Sequence, residues 1–149
     1  KKHVALAQRI MDDIIDLELE KIEKIIAKID SDPESEEVKE AEKHLWEKIY
    51  KKSGQGRRTG VGITAEGDML AAMGLRYGTE EATEFSEQVH KTIALEAYRS
   101  SVNMAKERGA FAIYDSEREK NNPFINRLKE ADPELYEEMK NTDDVISPA

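Results

Sequence analysis

Apolar side chains recur along this chain almost everywhere at helical spacing. From Lys1 to about Asp30, Val4, Ala7, Met11 and Ile14, then Ile15, Leu19, Ile22, Ile26 and Ile29, fall three or four residues apart with no glycine or proline between them. That period predicts one long helix. Leu6, Ile10 and Leu17 add a second apolar stripe to its first half, which predicts deeper burial there than in the second half. In Asp32-Pro33-Glu34 an acid stands before a proline that suits the first position of a helix, so the turn is expected to be short. Val38, Ala41, Leu45 and Ile49, widened by Trp46 and Tyr50, carry a second helix to about Lys52. Two helices joined so tightly imply an antiparallel hairpin.

The pattern then changes. Ser53–Thr64 is rich in glycine and is not expected to be helix interior. Val61 and Ile63 alternate with Gly60, Gly62 and Thr64, which allows one short extended segment near 57–63, its partner strand lying outside this chain. A short helix is expected over Ala65–Met73, closed by Gly74. Thr79, Glu80 and Glu81 then open a long helix that carries Phe85, Val89, Ile93 and Ala97 down one face to Arg108, before Gly109. Asn122-Pro123 and Asp132-Pro133-Glu134 start two further helices, with Phe124, Ile125 and Leu128 on the first and Leu135, Tyr136 and Met139 on the second. The tail from Thr142 is expected to be loose. The fold class is therefore mainly α, in one region over 1–149: a hairpin (1–53), a glycine- and arginine-rich junction (54–64) and a helical remainder (65–149).

Composition narrows the function. The chain has 149 residues, no cysteine and a net charge of −9. Lack of cysteine excludes disulfides, thiolate metal sites and cysteine nucleophiles from this chain. Excess acid repels phosphate backbones, so nucleic acid is not the expected partner. No apolar run approaches the roughly 20 residues that span a bilayer, and no signal-peptide pattern opens the chain, so a cytoplasmic, membrane-free protein is expected. Lys1 is not a start methionine and Ile146-Ser147-Pro148-Ala149 closes no element, which reads as an excised piece.

Few residues suggest chemistry. Glu87 and His90 form a Glu-x-x-His pair, half of a di-metal carboxylate motif. No second such pair exists, so a surface ion pair is the preferred reading and no metal is expected. Lys48, Lys51, Lys52, Arg57 and Arg58 lie between Glu47 and Glu66 with no acid among them. Beside glycines whose backbone a ligand can approach, Arg57, Arg58, Thr59, Gly60 and Gly62 are candidates for binding an anion or an anionic substrate. The alternative is a structural junction whose arginines pair with acidic neighbours. Neither a nucleotide-loop signature nor a nucleophile with its base is present.

The stretch Gly56–Gly78, GRRTGVGITAEGDMLAAMGLRYG, holds six of the eight glycines. It resembles the Arg-Arg-Thr-Gly-x-Gly segment of the large, catalytic subunit of ribonucleotide reductases, most closely the adenosylcobalamin-dependent type. The likeness continues through Glu96-Ala97-Tyr98-Arg99-Ser100-Ser101 and Ala105–Phe111, over the second two thirds of the chain. It implies an internal helical piece cut from a larger ten-stranded α/β barrel. In that family a thiyl radical on cysteine, a redox cysteine pair, an asparagine and a glutamate make deoxyribonucleotides for DNA synthesis. None of those motifs occurs here, so the resemblance implies no catalytic residue in this chain. It also implies adenosylcobalamin for the parent but no cofactor on the piece, and the rest of the barrel as partner, with a homodimer of the isolated piece as a further expectation. The competing reading is a free-standing acidic helical interaction module.

Overall fold

The computed structural model describes residues 1–146, with side chains through Asn141. Among these residues there are seven helices and no strand: α1 (Lys2–Ile29), α2 (Glu36–Gly56), α3 (Glu66–Ala72), α4 (Glu80–Arg108), α5 (Ser116–Glu119), α6 (Pro123–Ala131) and α7 (Pro133–Ile146). The mainly α class expected from the periodicity holds, and 58–64 runs without a strand partner.

Helix α1 organises the rest, and its polar contacts give the register of both neighbours. Arg57 reaches Asp16 at 2.7 Å, the Tyr50 hydroxyl donates to Glu23 at 2.8 Å, and Lys43 donates to Asp30 at 3.1 Å. The α2-side numbers fall as the α1 numbers rise, so the hairpin is antiparallel. On the first half of α1 the order is reversed: Lys1 pairs with Glu96 at 3.3 Å, Ser100 donates to the Ala5 carbonyl at 2.9 Å, and Arg108 reaches Asp12 at 2.7 Å. The second half of α4 therefore runs parallel to the start of α1. The C-terminal ends of α2 and α4 converge on the middle of α1.

Local chemistry sets most boundaries. Thr79 Oγ1 accepts from the Ala82 amide at 3.3 Å to start α4, and Gly109, at φ 85°, lets the chain leave it. After α3, Gly74 takes φ 73° and the Leu75 amide returns to the Leu70 carbonyl at 2.8 Å, a closure that needs a left-handed residue. Asn122 and Asp132 cap α6 and α7, accepting from the amides of Phe124 and Leu135 at 2.9 and 3.0 Å. Asp115 likewise caps the short α5, which the apolar pattern did not signal because no apolar side chain lies within it. Residues Val102, Leu128 and Leu135 form a buried cluster under Leu95, Phe124, Tyr136 and Met139, fastening α6 and α7 to α4.

Four expectations need correction. The N-cap of α2 is Ser35, and Asp32 instead accepts from Lys28 at 2.9 Å, so Pro33 lies in the turn and not at the first helical position. Helix α2 continues through Ser53–Gly56 and ends at Arg57, with Gly54 in ordinary contact with Leu19 of α1. The second apolar stripe at the start of α1 is left uncovered, with Leu6 54%, Ile10 47% and Leu17 62% exposed, while Val4, Ala7 and Met11 on the first stripe are half-buried. That second stripe faces away from both neighbouring helices. Helix α7 continues through Ile146, past Thr142, and 147–149 lie outside the described residues.

Candidate functional site

The glycine-rich junction is built around an arginine in an unusual conformation. Arg57 closes α2 at φ 40°, ψ 48°, in the left-handed region that costs a side-chain-bearing residue about 1 kcal/mol. Three hydrogen bonds offset that cost. Nε donates to Asp12 Oδ1 at 2.7 Å, Nη1 to Asp16 Oδ1 at 2.7 Å and Nη2 to the Asp12 carbonyl at 2.9 Å. The left-handed turn is what directs this guanidinium onto α1.

Arg108, in the last turn of α4, reaches the same place from the other direction. Nη1 donates to Asp12 Oδ2 at 2.7 Å and Nη2 to Asp13 Oδ1 at 2.8 Å. Asp12, 8% exposed, thus has each carboxylate oxygen held by a different arginine. Among the described residues no buried side-chain nitrogen or oxygen lacks a partner. Each arginine also lies at a helix C-terminus, where the partial negative charge of the last carbonyls favours a cation. The Arg57 hydrogen bond, against the opposing effect of burial, holds the Asp16 carboxyl below the usual range. Arg9 does the same for Glu107.

These contacts decide how the five candidate residues stand. Arg57 is engaged by two aspartates, and the Thr59 hydroxyl accepts from Gln8 Nε2 at 2.8 Å. Arg58 is exposed and makes no ion pair with a described residue. Gly60 and Gly62 are exposed, with nothing within 4 Å of where a β-carbon would stand. The fold therefore gathers Arg57 and Thr59 against α1 and leaves Arg58, Gly60 and Gly62 on the open side. None of the five lines the cavity of about 410 Å³ between α1 and α4, where Arg9, Glu96, Arg99 and Lys106 are among the lining residues. Of the Glu-x-x-His pair, Glu87 is exposed and His90 Nδ1 lies 2.9 Å from the Ser86 carbonyl. No group of three or more His, Asp or Glu residues among those described is placed to hold a metal ion.

Asp12, Asp13, Asp16 and Arg108 were not singled out from the sequence. Their signal was present: three acids at i, i+1 and i+4 interrupt an otherwise apolar stretch of α1. Acids placed there need partners, and the two arginines ending α2 and α4 supply them.

The chain belongs to the ribonucleotide reductase barrel-domain family, whose family model matches residues 1–144. It is 37% identical over 86 residues, 57% of this chain, to a vitamin B12-dependent ribonucleoside-diphosphate reductase of Thermoplasma acidophilum. To the enzyme of the same description from Mycobacterium tuberculosis it is 34% identical over 62 residues, 42% of this chain. To a ribonucleoside-diphosphate reductase subunit alpha of Chlamydia pneumoniae it is 38% identical over 58 residues, 39% of this chain. The matched parts are 11%, 9% and 6% of those relatives' own lengths. No solved structure matches the chain. Among the described residues no helix is long and apolar enough to cross a membrane.

Proposed function

We propose that this chain is a helical, non-catalytic part of the large subunit of a B12-dependent ribonucleoside-diphosphate reductase. The parent reduces ribonucleoside diphosphates to deoxyribonucleotides by thiyl radical chemistry, in the cytoplasm, with adenosylcobalamin as cofactor. The observation that carries this reading is a barrel-domain match over residues 1–144 in a sequence without cysteine. The thiols of that chemistry then belong to other parts of the parent. The role left to this part is mechanical: the Asp12 clamp ties the end of α2, which precedes the junction, and the end of α4 to α1, and so sets where residues 58–64 emerge.

The described residues do not fit a corrin. The cavity between α1 and α4 is lined by ion-paired side chains, Arg9 with Glu107 and Lys106 with Glu138, whereas a large cofactor ring is held mainly through apolar contact. The cobalamin site is accordingly assigned to the rest of the parent, which is also the proposed partner of this chain. A second copy is the proposed partner of the isolated piece, and no nucleic acid is assigned. The free-standing module lacks comparable support.

Within the parent, Arg58 with the backbone of Thr59, Gly60 and Gly62 is assigned a contact to an anionic group, while Arg57 holds the loop in place. Assay of the full-length parent tests the whole reading. It is expected to reduce a ribonucleoside diphosphate only with adenosylcobalamin and a thiol reductant, and the isolated 149-residue chain to give no turnover above a protein-free control. Arg58→Ala is expected to raise KM with kcat retained. A full-length protein that reduces no ribonucleotide under these conditions would overturn the assignment.

A further inference from the structure

Leu6, Ile10, Ile14 and Leu17 fall within an arc of about 80° on α1 and span about 17 Å of its length. They are 54%, 47%, 46% and 62% exposed. The opposite side of the same helix carries the buried Ile15, Ile22 and Asp12. This is therefore a second apolar face that neither α2 nor α4 covers, with Asp13 and Glu18 at its margins. Singly exposed leucines need no explanation, but a continuous ridge of four on one helix marks a contact surface.

The total exposed area indicates what covers it. The chain exposes 10841 Å². A compact monomer of this mass exposes about 7,700 Å², so the excess is about 3,000 Å². A standard interface with another protein covers about 800 Å² of each partner, which leaves most of that excess in water. An excess this large matches a part that packs within its own polypeptide, and the chain corresponds to 11% of the length of the Thermoplasma acidophilum relative.

We propose that Leu6, Ile10, Ile14 and Leu17 form a docking ridge for the remainder of the parent polypeptide, an apolar surface outside these 149 residues. The proposal rests on the reading of the chain as part of a larger reductase, and it adds which face makes the join. Within the parent, the occupant is the parent's own chain and not a second copy. The ridge is independent of the clamp, because Asp12 and Ile10 lie on different sides of α1.

Cysteine accessibility tests the ridge directly. Ile10→Cys and, on the polar face of α2, Glu37→Cys are introduced separately into the isolated chain and into the full-length parent. Maleimide labelling at each site is then read by peptide mass spectrometry, which separates it from the parent's own thiols. Circular dichroism of each isolated variant checks that it remains helical. At Ile10→Cys, labelling is expected to be at least about tenfold slower in the parent than in the isolated chain, with Glu37→Cys equal in both. Equal labelling at Ile10→Cys in the two contexts would overturn the proposal. The isolated chain is labelled at a concentration where sedimentation shows it monomeric, because a second copy is the proposed partner of the isolated piece. Reductase activity of the parent is measured in parallel. Loss of the reductase assignment with Ile10→Cys still protected would leave the ridge standing, and activity with an unprotected ridge would remove only the ridge.

Discussion

Arg57 and Asp12 are 45 positions apart, yet Nε of one lies 2.7 Å from Oδ1 of the other. The bond crosses from the end of α2 to the middle of α1, and its acceptor's second oxygen is held by Arg108 from α4. Three helices are thus joined through one carboxylate. The antiparallel contact with α2 ends there and the parallel contact with α4 begins, so neither pairing alone fixes the orientation of the junction.

Asp12→Asn is expected to lower stability by about 2 kcal/mol, since it discharges the shared acceptor while two arginines remain facing it. Both arginines retain partial access to water, which keeps the loss below that of a fully enclosed ion pair. Asp13→Asn, at an exposed position with one arginine partner, is expected to cost no more than about 0.5 kcal/mol. Urea denaturation of the two variants checks the contrast. Equal midpoints would show that Asp12 is no more than another surface acid.

Ala65 starts α3 at φ 61°, ψ 35°, and its side chain makes no capping hydrogen bond. Ala65→Gly relieves the left-handed penalty at the expense of a looser unfolded chain, for a net gain of about 0.5 kcal/mol. Arg57→Gly at the other left-handed position is expected to destabilise, because there the side chain makes the clamp. Thermal midpoints moving in opposite directions would confirm that one residue tolerates its conformation and the other uses it.

Acid should loosen the junction through Asp16. The Asp16 carboxyl lies below its ordinary value through the Arg57 hydrogen bond. A group depressed in the folded state contributes stability above its unfolded pKa, and that contribution is lost as pH falls through the lower, folded value. The loss from this group therefore begins below the ordinary aspartate value of 3.8 and completes further down. Asp16→Asn should flatten that part of the pH–stability curve, and added salt should shrink the difference. An unchanged acid limb in Asp16→Asn would show that Arg57 takes its stabilisation from Asp12 alone.

What could be read from the sequence was local. Thr79, Asn122 and Asp132 announce helix starts because the cap lies two or three residues from the amide it satisfies, and Gly109 announces an end for a similar reason. Ser35 was obscured by the stronger Asp32-Pro33 pattern, whose acid went to Lys28. The extension of α2 through Gly56 ends at Arg57, whose left-handed turn is held by its bonds to α1, a contact between helices that periodicity does not show. Apolar character along the start of α1 was plain, but which of its two stripes is covered depends on where α4 docks. At the candidate site, the positive charge of Arg57 was visible and its three aspartate contacts were not. Only the converging ends of α2 and α4 turn a possible anion site into a clamp, with Arg58 left outward.

The attachment of α6 and α7 offers the last test. Leu135 is 0% exposed and forms, with Val102 and Leu128, the buried centre that joins these helices to α4. Around it, Arg99 donates to Asp132 and Glu138 at 2.7 and 2.6 Å, and Tyr98 stacks on Phe124 with ring centres 5.0 Å apart. The polar contacts lie at the rim, where water competes with them, so the apolar centre should carry most of the attachment. Leu135→Ala removes three carbons from a site enclosed on all sides, for an expected loss of about 3 kcal/mol. Arg99→Ala should cost less, about 1 kcal/mol, because its partners reach water once it is gone. Hydrogen exchange on Leu135→Ala should show faster exchange across α6 and α7 while α1 and the Asp12 clamp keep their protection. Uniform loss of protection along the whole chain would mean that the α4–α7 cluster and the clamp fold as one cooperative unit.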